Sequence, residues 1–309
     1  MTFATLLVIS LTLTPILRHV DVPRILSRLT TSKQAQPPTI YVVTPTHTRL
    51  TQKADLTRLM YTLRHVSRLH WVLVEDHFHK TEMLQRMLNT SGLTYTHLNI
   101  ATPRNSSTVK MSKFRGTEKD WRTSSEYKTS GKRPVDNNST EMIRRGVTQR
   151  NEGLRWLRQH TGRGGDVGVV YFADDDNTYD VRLFSLMRQT RAVSVWPVGF
   201  VGKSLYEDME VLDGHVVSWR VQWGQNRSHA VDMAGFAVNL GLIQQHPHAN
   251  FLYSADIGFM ESKFLQQFGL PMSSLEPVTQ GVKEVLVWHT KTKTPFVKYT
   301  PIQGPVLEV

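Results

Sequence analysis

The chain has 309 residues, no cysteine, and 37 Lys and Arg against 26 Asp and Glu, a formal net charge of +11. The missing cysteine excludes disulfides, thiolate catalysis and Cys-ligated zinc. The length suffices for a large core, as one big α/β domain or two smaller ones, and the charge suits an anionic partner such as nucleic acid, a nucleotide phosphate, an acidic lipid surface or a sulfated glycan.

Residues 3–17 are apolar and uncharged. They are shorter than the ~20 residues of a full membrane span, so they read as a signal-peptide core or a short anchor. No Lys or Arg precedes this stretch, while Arg18 and Arg24 follow it, so a strict positive-inside reading places the N-terminus outside. Either form predicts entry into the secretory pathway. Residues 1–20 are thus assigned to a signal-anchor or signal peptide and 21–38 to a polar stem ending in Pro37-Pro38.

Beyond the stem, strand and helix patterns alternate. Thr39–Pro45 reads as a strand closed by proline, and residues 52–66 carry Leu56, Leu59, Met60, Leu63 and Val66 on one helical face. Trp71–Asp76 reads as a second buried strand ending in two acids, 80–89 as a helix with Gly92 beyond it, and Thr94–Ile100 as a strand. Residues 101–140 hold nine Lys and Arg against four acids, with many Ser, Thr and Asn and few apolar residues. That composition predicts a mobile insertion loop, with a polyanion-binding patch as the alternative. Residues 141–160 and 180–190 read as helices, and 167–172 and 192–200 as strands. The alternation predicts a mostly parallel sheet flanked by helices. After residue 200 the glycines Gly202, Gly214, Gly224 and Gly235 punctuate shorter strands, which reads as the second half of one compact unit.

The most informative stretch is Val169–Asn177, where Val-Val-Tyr-Phe-Ala leads directly into Asp174, Asp175 and Asp176. Three carboxylates at the C-terminal end of a buried strand repel one another unless neutralised, and hard divalent cations prefer such oxygen ligands. A solvated turn or helix cap is the plainer reading. Three further clusters carry chemistry. Asp232 lies between apolar groups in AVDMAGFA and therefore needs a partner, or caps a helix. Glu261 follows Gly258-Phe259-Met260, surroundings that raise a carboxyl pKa toward that of a useful base, unless it is only a first-turn helix acid. His289 and Lys291 end a strand-like run and are natural donors to a pyrophosphate. Sequons stand at Asn89, Asn105, Asn137, Asn138 and Asn226.

Seven stretches carry a resemblance. They are IYVVTPT at 40–46, HWVLVED at 70–76, GVTQRN at 146–151, YFADDDNTY at 171–179, VSVWPVG at 193–199, VDMAGFAV at 231–238 and VWHT at 287–290. Together they resemble the β-1,3-glucuronyltransferases of glycosyltransferase family 43. The resemblance implies a GT-A fold, with a mostly parallel mixed sheet flanked by helices. A UDP-sugar and Mn²⁺ half (39–200) would precede an acceptor half (201–309) within a catalytic domain spanning 39–309. It further implies UDP-glucuronate as donor, a galactose-ended glycan as acceptor, inversion at the anomeric carbon, and a single-pass type II Golgi membrane protein, usually a homodimer.

By the same resemblance Asp176 would ligate Mn²⁺, and Asp174 and Asp175 would hold the uridine and ribose side. Asp76 would bind uracil, Arg145 and Arg150 would contact the donor, and His289 the diphosphate. Glu261 would be the catalytic base, while Glu207, Trp223, Arg227 and Asp232 would position the acceptor sugar. His47 stands where the family carries a uracil-stacking tyrosine, and Lys291 where it carries arginine. Lys291 keeps the charge and loses the bidentate fork. The 101–140 segment is long for the family, and the tail after Pro295 matches poorly, which leaves open an exchange of tails between dimer partners. The favoured acceptor is the Gal-Gal-Xyl proteoglycan linkage, with N-acetyllactosamine ends as an alternative. A catalytically weakened polyanion-binding module on the same fold is a further alternative. Nucleic acid has only the charge behind it and is not expected as a partner.

Overall fold

The computed structural model describes residues 36–103, 146–162, 167–278, 284–297 and 308. The expected anchor, nearly all of the stem, Arg145 and most of the basic loop lie outside these residues. From Pro38 onward the chain forms one compact unit.

The elements follow the apolar pattern closely. Strand β1 (Thr39–Thr46) is followed by helix α1 (Gln52–Leu63), β2 (Leu69–Glu75), α2 (Glu82–Asn89), β3 (Thr94–Asn99), α3 (Val147–His160) and β4 (Gly168–Phe172). Then come β5 (Thr178–Tyr179), α4 (Val181–Met187), β6 (Val193–Val195), β7 (Val198–Gly199), β8 (Tyr206–Leu212) and β9 (His215–Arg220). A 3₁₀ turn (Met233–Gly235) leads into β10 (Phe236–Asn239), α5 (Leu240–Gln245) and α6 (Met260–Gln266), and two short strands close the set, β11 (Glu276–Pro277) and β12 (Val287–Trp288).

Seven strands form the main sheet in the order β11-β6-β10-β4-β1-β2-β3. The pairs β1–β2, β1–β4, β2–β3 and β6–β11 are parallel, while β10 runs antiparallel to both β4 and β6. This is the mostly parallel mixed sheet with flanking helices that the sequence predicts for the GT-A class. Strand β10, from beyond residue 200, sits between β4 and β6, so the sheet is built from both halves of the sequence.

Successive strand side chains point to opposite faces, which explains why the central strands are apolar at every position. Ile40, Val42, Trp71, Leu73, Val169 and Tyr171 enter one core layer with α1, α2 and α4. Tyr41, Val43, Val72, Val74, Val170 and Phe172 enter the other with α3, α5 and α6. Pro45 does not end β1, as the sequence reading expects. It pairs with Val74 in parallel register and the strand runs on to Thr46.

One expectation is corrected. The stretch 192–200 is not a single strand. It breaks at Trp196-Pro197, where proline supplies no N–H to a ladder, and β6 stays in the main sheet while β7 joins a second sheet, β5-β12-β7-β8-β9. Strands β8 and β9 form a hairpin whose tip, Asp213-Gly214, has φ of 50° and 81°. Two positive φ values suit the Asp-Gly turn that matches strand twist.

The second core layer is rich in aromatic contacts. Phe264 of α6 stacks on Phe251 with centroids 4.2 Å apart and meets Phe172 at 5.7 Å and Phe268 at 5.2 Å edge-on. Phe264 lies one turn after Glu261, so this cluster holds the helix that presents that acid. Replacing Phe264 by Ala should lower unfolding free energy by about 3–5 kcal/mol, read as a lower urea midpoint at unchanged slope.

Candidate active site at the C-terminal edge of the parallel strands

Strands β1, β2 and β4 run parallel, so their C-terminal ends share one edge of the sheet, where ligands of open α/β sheets bind. Thr46–Arg49, Asp76 and Asp174–Asp176 all leave from that edge.

The three aspartates meet different neighbours. Asp174 pairs with Arg150, whose side chain is nearly buried on α3. The carbonyl of Asp174 is fixed by the Tyr179 hydroxyl at 2.8 Å. Gly146, at φ 82°, makes room for Arg150: a Cβ there would stand 2.4 Å from Nη1. Asp175 is buried, accepts from the Thr46 hydroxyl at 2.7 Å, and pairs with Arg49 at 2.8 Å. The Asp176 carboxylate makes no ion pair or hydrogen bond among the described residues. Burial, then the charges of Asp175 and Asp174, raise its pKa. A carboxylate so placed suits a hard divalent cation. Among the described residues no group of three or more His, Asp or Glu is arranged to hold a metal unaided. An ion at Asp176 would therefore depend on oxygens from a ligand.

A second group holds Asp232, Glu261 and His289, with the Asp174 charge acting on His289 and the Arg150 charge on Glu261. Asp232 caps the 3₁₀ turn through Ala234 N at 3.0 Å, so the plainer reading of this residue holds, and its other oxygen takes His289 Nδ1 at 3.0 Å. That hydrogen bond raises the His289 pKa and favours the imidazolium. The turn itself is fixed by two buried donors, the Tyr171 hydroxyl and Trp196 Nε1, both on the Ala234 carbonyl. Glu261 sits in the first turn of α6. Desolvation, reinforced by the Asp232 charge, pushes its carboxyl up to about 7, against a smaller pull from Arg150 and Arg227. A mostly buried acid with such a pKa can accept a proton near neutrality.

Arg227 connects this acid to the outer wall. Its buried guanidinium donates to the carbonyls of Gly224, Gly258 and Trp223 at 3.1, 3.2 and 3.0 Å, and stands 5.2 Å from the Trp223 ring. Glu207 lies 3.8 Å from it. Burial raises the Glu207 pKa, and its Oε1 has no hydrogen-bond partner among the described residues. Trp223 is half exposed and crosses Phe259 edge-on at 5.9 Å. Gly258 has φ 73°, and a Cβ on it would come 2.3 Å from the Trp223 ring. Glu207, Asp232, Trp196 and Trp219 line one narrow cleft. Asn226, in the sequon beside Arg227, is exposed.

The remaining predicted residues stand nearer the rim. Both oxygens of Asp76 accept from Thr102, one from N and one from Oγ1, each at 2.7 Å. His47 is partly exposed on the turn after β1, and Lys291 is exposed close enough to His289 to oppose its protonation. Arg145 lies outside the described residues. The structure thus brings together Arg150, Asp174, Asp175, Asp176, Asp232, Glu261 and His289. It joins Glu207, Trp223 and Arg227 to them through Asp232 and Gly258, and leaves Asp76, His47 and Lys291 at the edges. Sequence reasoning missed Arg49, Thr46, Asp55, Thr102 and Gln149. Gln149 donates to the Thr102 hydroxyl at 3.1 Å while its own Oε1 is buried without a partner. The one sequence signal for Arg49 and Thr46 is their place directly at the end of β1.

The chain resembles proteins of known activity. The model of the family described as "Glycosyltransferase family 43" matches residues 59–293. The chain is 46% identical over 263 residues to galactosylgalactosylxylosylprotein 3-beta-glucuronosyltransferase 1 of Rattus norvegicus, covering 84% of this chain and 71% of that one. It is 45% identical over 273 residues to galactosylgalactosylxylosylprotein 3-beta-glucuronosyltransferase 3 of Homo sapiens, covering 84% and 72%. Among solved structures, that of S. aureus TarS 1-349 is similar at 12% identity and a TM-score of 0.49, over 82% of this chain and 60% of that one. On the family model and the extent of these identities, the chain belongs to glycosyltransferase family 43.

Proposed function

We propose that the protein transfers glucuronic acid from UDP-glucuronate to the 3-hydroxyl of a terminal galactose, with inversion, on the Gal-Gal-Xyl linkage of proteoglycans. The observation that carries this reading is one guanidinium shared by two unlike groups. Arg150 pairs with Asp174 of the aspartate run, and its charge also reaches Glu261, an acid raised to about 7. The names of the relatives supply the sugar and the acceptor.

On this reading Glu261 accepts the proton of the acceptor hydroxyl as that oxygen attacks the anomeric carbon. A single displacement needs no protein nucleophile. Glu207, Arg227, Asp232 and the Trp223 face hold the acceptor sugar, with the unpartnered Glu207 Oε1 free to accept from a sugar hydroxyl. Asp76, His47, Asp174 and Asp175 hold the uridine. Arg150 contacts the donor, a role that Arg145 would share on the family's pattern, and protonated His289 with Lys291 offers donors to the diphosphate. Asp176 holds a divalent cation, Mn²⁺ on the family's pattern, which neutralises charge on the leaving UDP when bound.

The same reading places the protein in the Golgi membrane as a type II homodimer. Entry into the secretory pathway is supported by the apolar stretch 3–17 and by sequons such as Asn89, which is exposed at the end of α2, while Arg18 and Arg24 after that stretch oppose the type II orientation and the homodimer rests on the family's pattern alone. Among the described residues no helix is long and apolar enough to cross a membrane; residues 3–17 lie outside them.

The test is transfer of labelled glucuronate from UDP-glucuronate to Gal-β-1,3-Gal, beside N-acetyllactosamine, by the full-length chain. Transfer should vanish in EDTA, return with Mn²⁺, and fall about 10²- to 10⁴-fold in Glu261→Gln, with UDP binding retained. Asp176→Asn should lose metal-dependent UDP binding. Absence of both transfer and UDP binding in the wild type refutes the reading and favours the polyanion-binding module. The active form of Glu261 is the carboxylate. The value of kcat/KM should therefore fall about tenfold per pH unit below a limb near 7 and level off above it. A limb near 4.5, the ordinary glutamate value, would overturn the raised Glu261 carboxyl.

A further inference from the structure

Arg49 is absent from the site expected from sequence, yet more of the site's charge converges on it than on any group assigned there. It contacts Asp175 with both prongs, Nη1 on Oδ2 and Nη2 on Oδ1, each at 2.8 Å. Nη2 also lies 2.8 Å from Asp55 Oδ2. The side chains of Asp55 and Asp175 are 1% and 9% exposed, so two nearly buried carboxylates share one guanidinium. Only arginine offers a planar fork that can span both.

The chain of contacts continues beyond Asp55. Its second oxygen takes Arg58 Nη2 at 2.6 Å and the Thr292 hydroxyl at 2.7 Å, and Arg58 also donates to Thr292 Oγ1 at 3.0 Å. Thr292 belongs to the segment that carries His289 and Lys291. A continuous path therefore runs from the aspartates after β4, through Arg49 and Asp55 of α1, to the segment after β12. A second tie joins the same two segments directly, from the Thr290 hydroxyl to the Asp176 carbonyl at 2.6 Å.

We propose that Arg49 is a positioning residue for the nucleotide donor. Through Asp55 it holds Asp175 and the His289–Thr292 segment in fixed register, so that carboxylates and cations face one ligand from two sides. It contacts no reacting atom and acts through Asp175 and Asp55. This rests on the donor-binding reading given above.

The test measures UDP affinity with Mn²⁺ by calorimetry, together with donor KM and kcat, on the full-length chain. The variants are Arg49→Lys, Thr292→Val and the two combined, with Arg49→Met as a harsher change. Arg49→Lys should weaken UDP binding and raise donor KM about tenfold, with kcat changed less than about threefold, because a positioned ligand and not the chemical step is affected. Thr292→Val should weaken UDP binding by about threefold. The double variant should bind UDP no worse than Arg49→Lys alone, since both changes break one path through Asp55. Wild-type UDP affinity in folded Arg49→Lys, or multiplicative losses in the double variant, would overturn the proposal. If Arg49→Met does not fold, the other variants carry the decision. A wild type that fails to bind UDP would refute the donor reading as well, whereas a wild type that binds beside an unaffected Arg49→Lys would refute only the role of Arg49.

Discussion

Three carboxylates in a row at the mouth of a buried strand repel one another, and the surrounding structure is arranged around that constraint. Asp174 is met by Arg150 from α3 and Asp175 by Arg49 from the turn after β1. Two of the three charges are thus matched from within the protein, each by a guanidinium that is itself largely buried. Of the three, only Asp176 has no ion pair among the described residues, and its pKa is raised. This division of labour separates what organises the site from what remains available to an incoming cation. Parallel β1 and β4 bring Arg49 to the edge where the aspartates emerge, while the N-terminal end of α3 supplies Arg150.

The facing wall uses the opposite strategy. Asp232 is held by a turn whose carbonyl is pinned by Tyr171 and Trp196, and it spends its charge on His289. Glu261 lies close enough to feel that charge and has no ion-pair partner of its own, so its proton is held more tightly than a solvated glutamate would hold it. Phe264 and the aromatic cluster keep α6 rigid beneath it, while Arg227 ties the Trp223 loop to the Gly258 carbonyl three residues before it. The carboxyl with the raised pKa is thus the one that lacks an ion-pair partner among the described residues, while Asp232 is held by both the Ala234 N–H and His289.

Much of the fold could be read directly from residue patterns. The runs at 39–46, 69–75 and 168–172 are apolar at successive positions because both faces of the central sheet are covered, and that pattern identifies a buried strand whatever its neighbours. The break at Pro197 was equally visible in the residues, but its consequence was not. Whether a strand ends or changes sheets depends on which partner waits beyond the proline. The placement of β10 between β4 and β6 is of the same kind, since strand order is set by packing between segments far apart in sequence.

The site divides along the same line. By itself the sequence marked which groups are candidates for chemistry: the aspartates after β4, Glu261 behind its glycine, and the histidine and lysine at 289 and 291. Residue type and immediate neighbours decide those properties. Only the tertiary structure decided which charge meets which. Asp232 turns to His289 across 57 positions, and Arg49 reaches Asp175 across 126. Electrostatic pairing falls off with distance in space and is indifferent to distance along the chain, so no local pattern marks Asp55 as part of the site, and Arg49 is marked only by its place after β1.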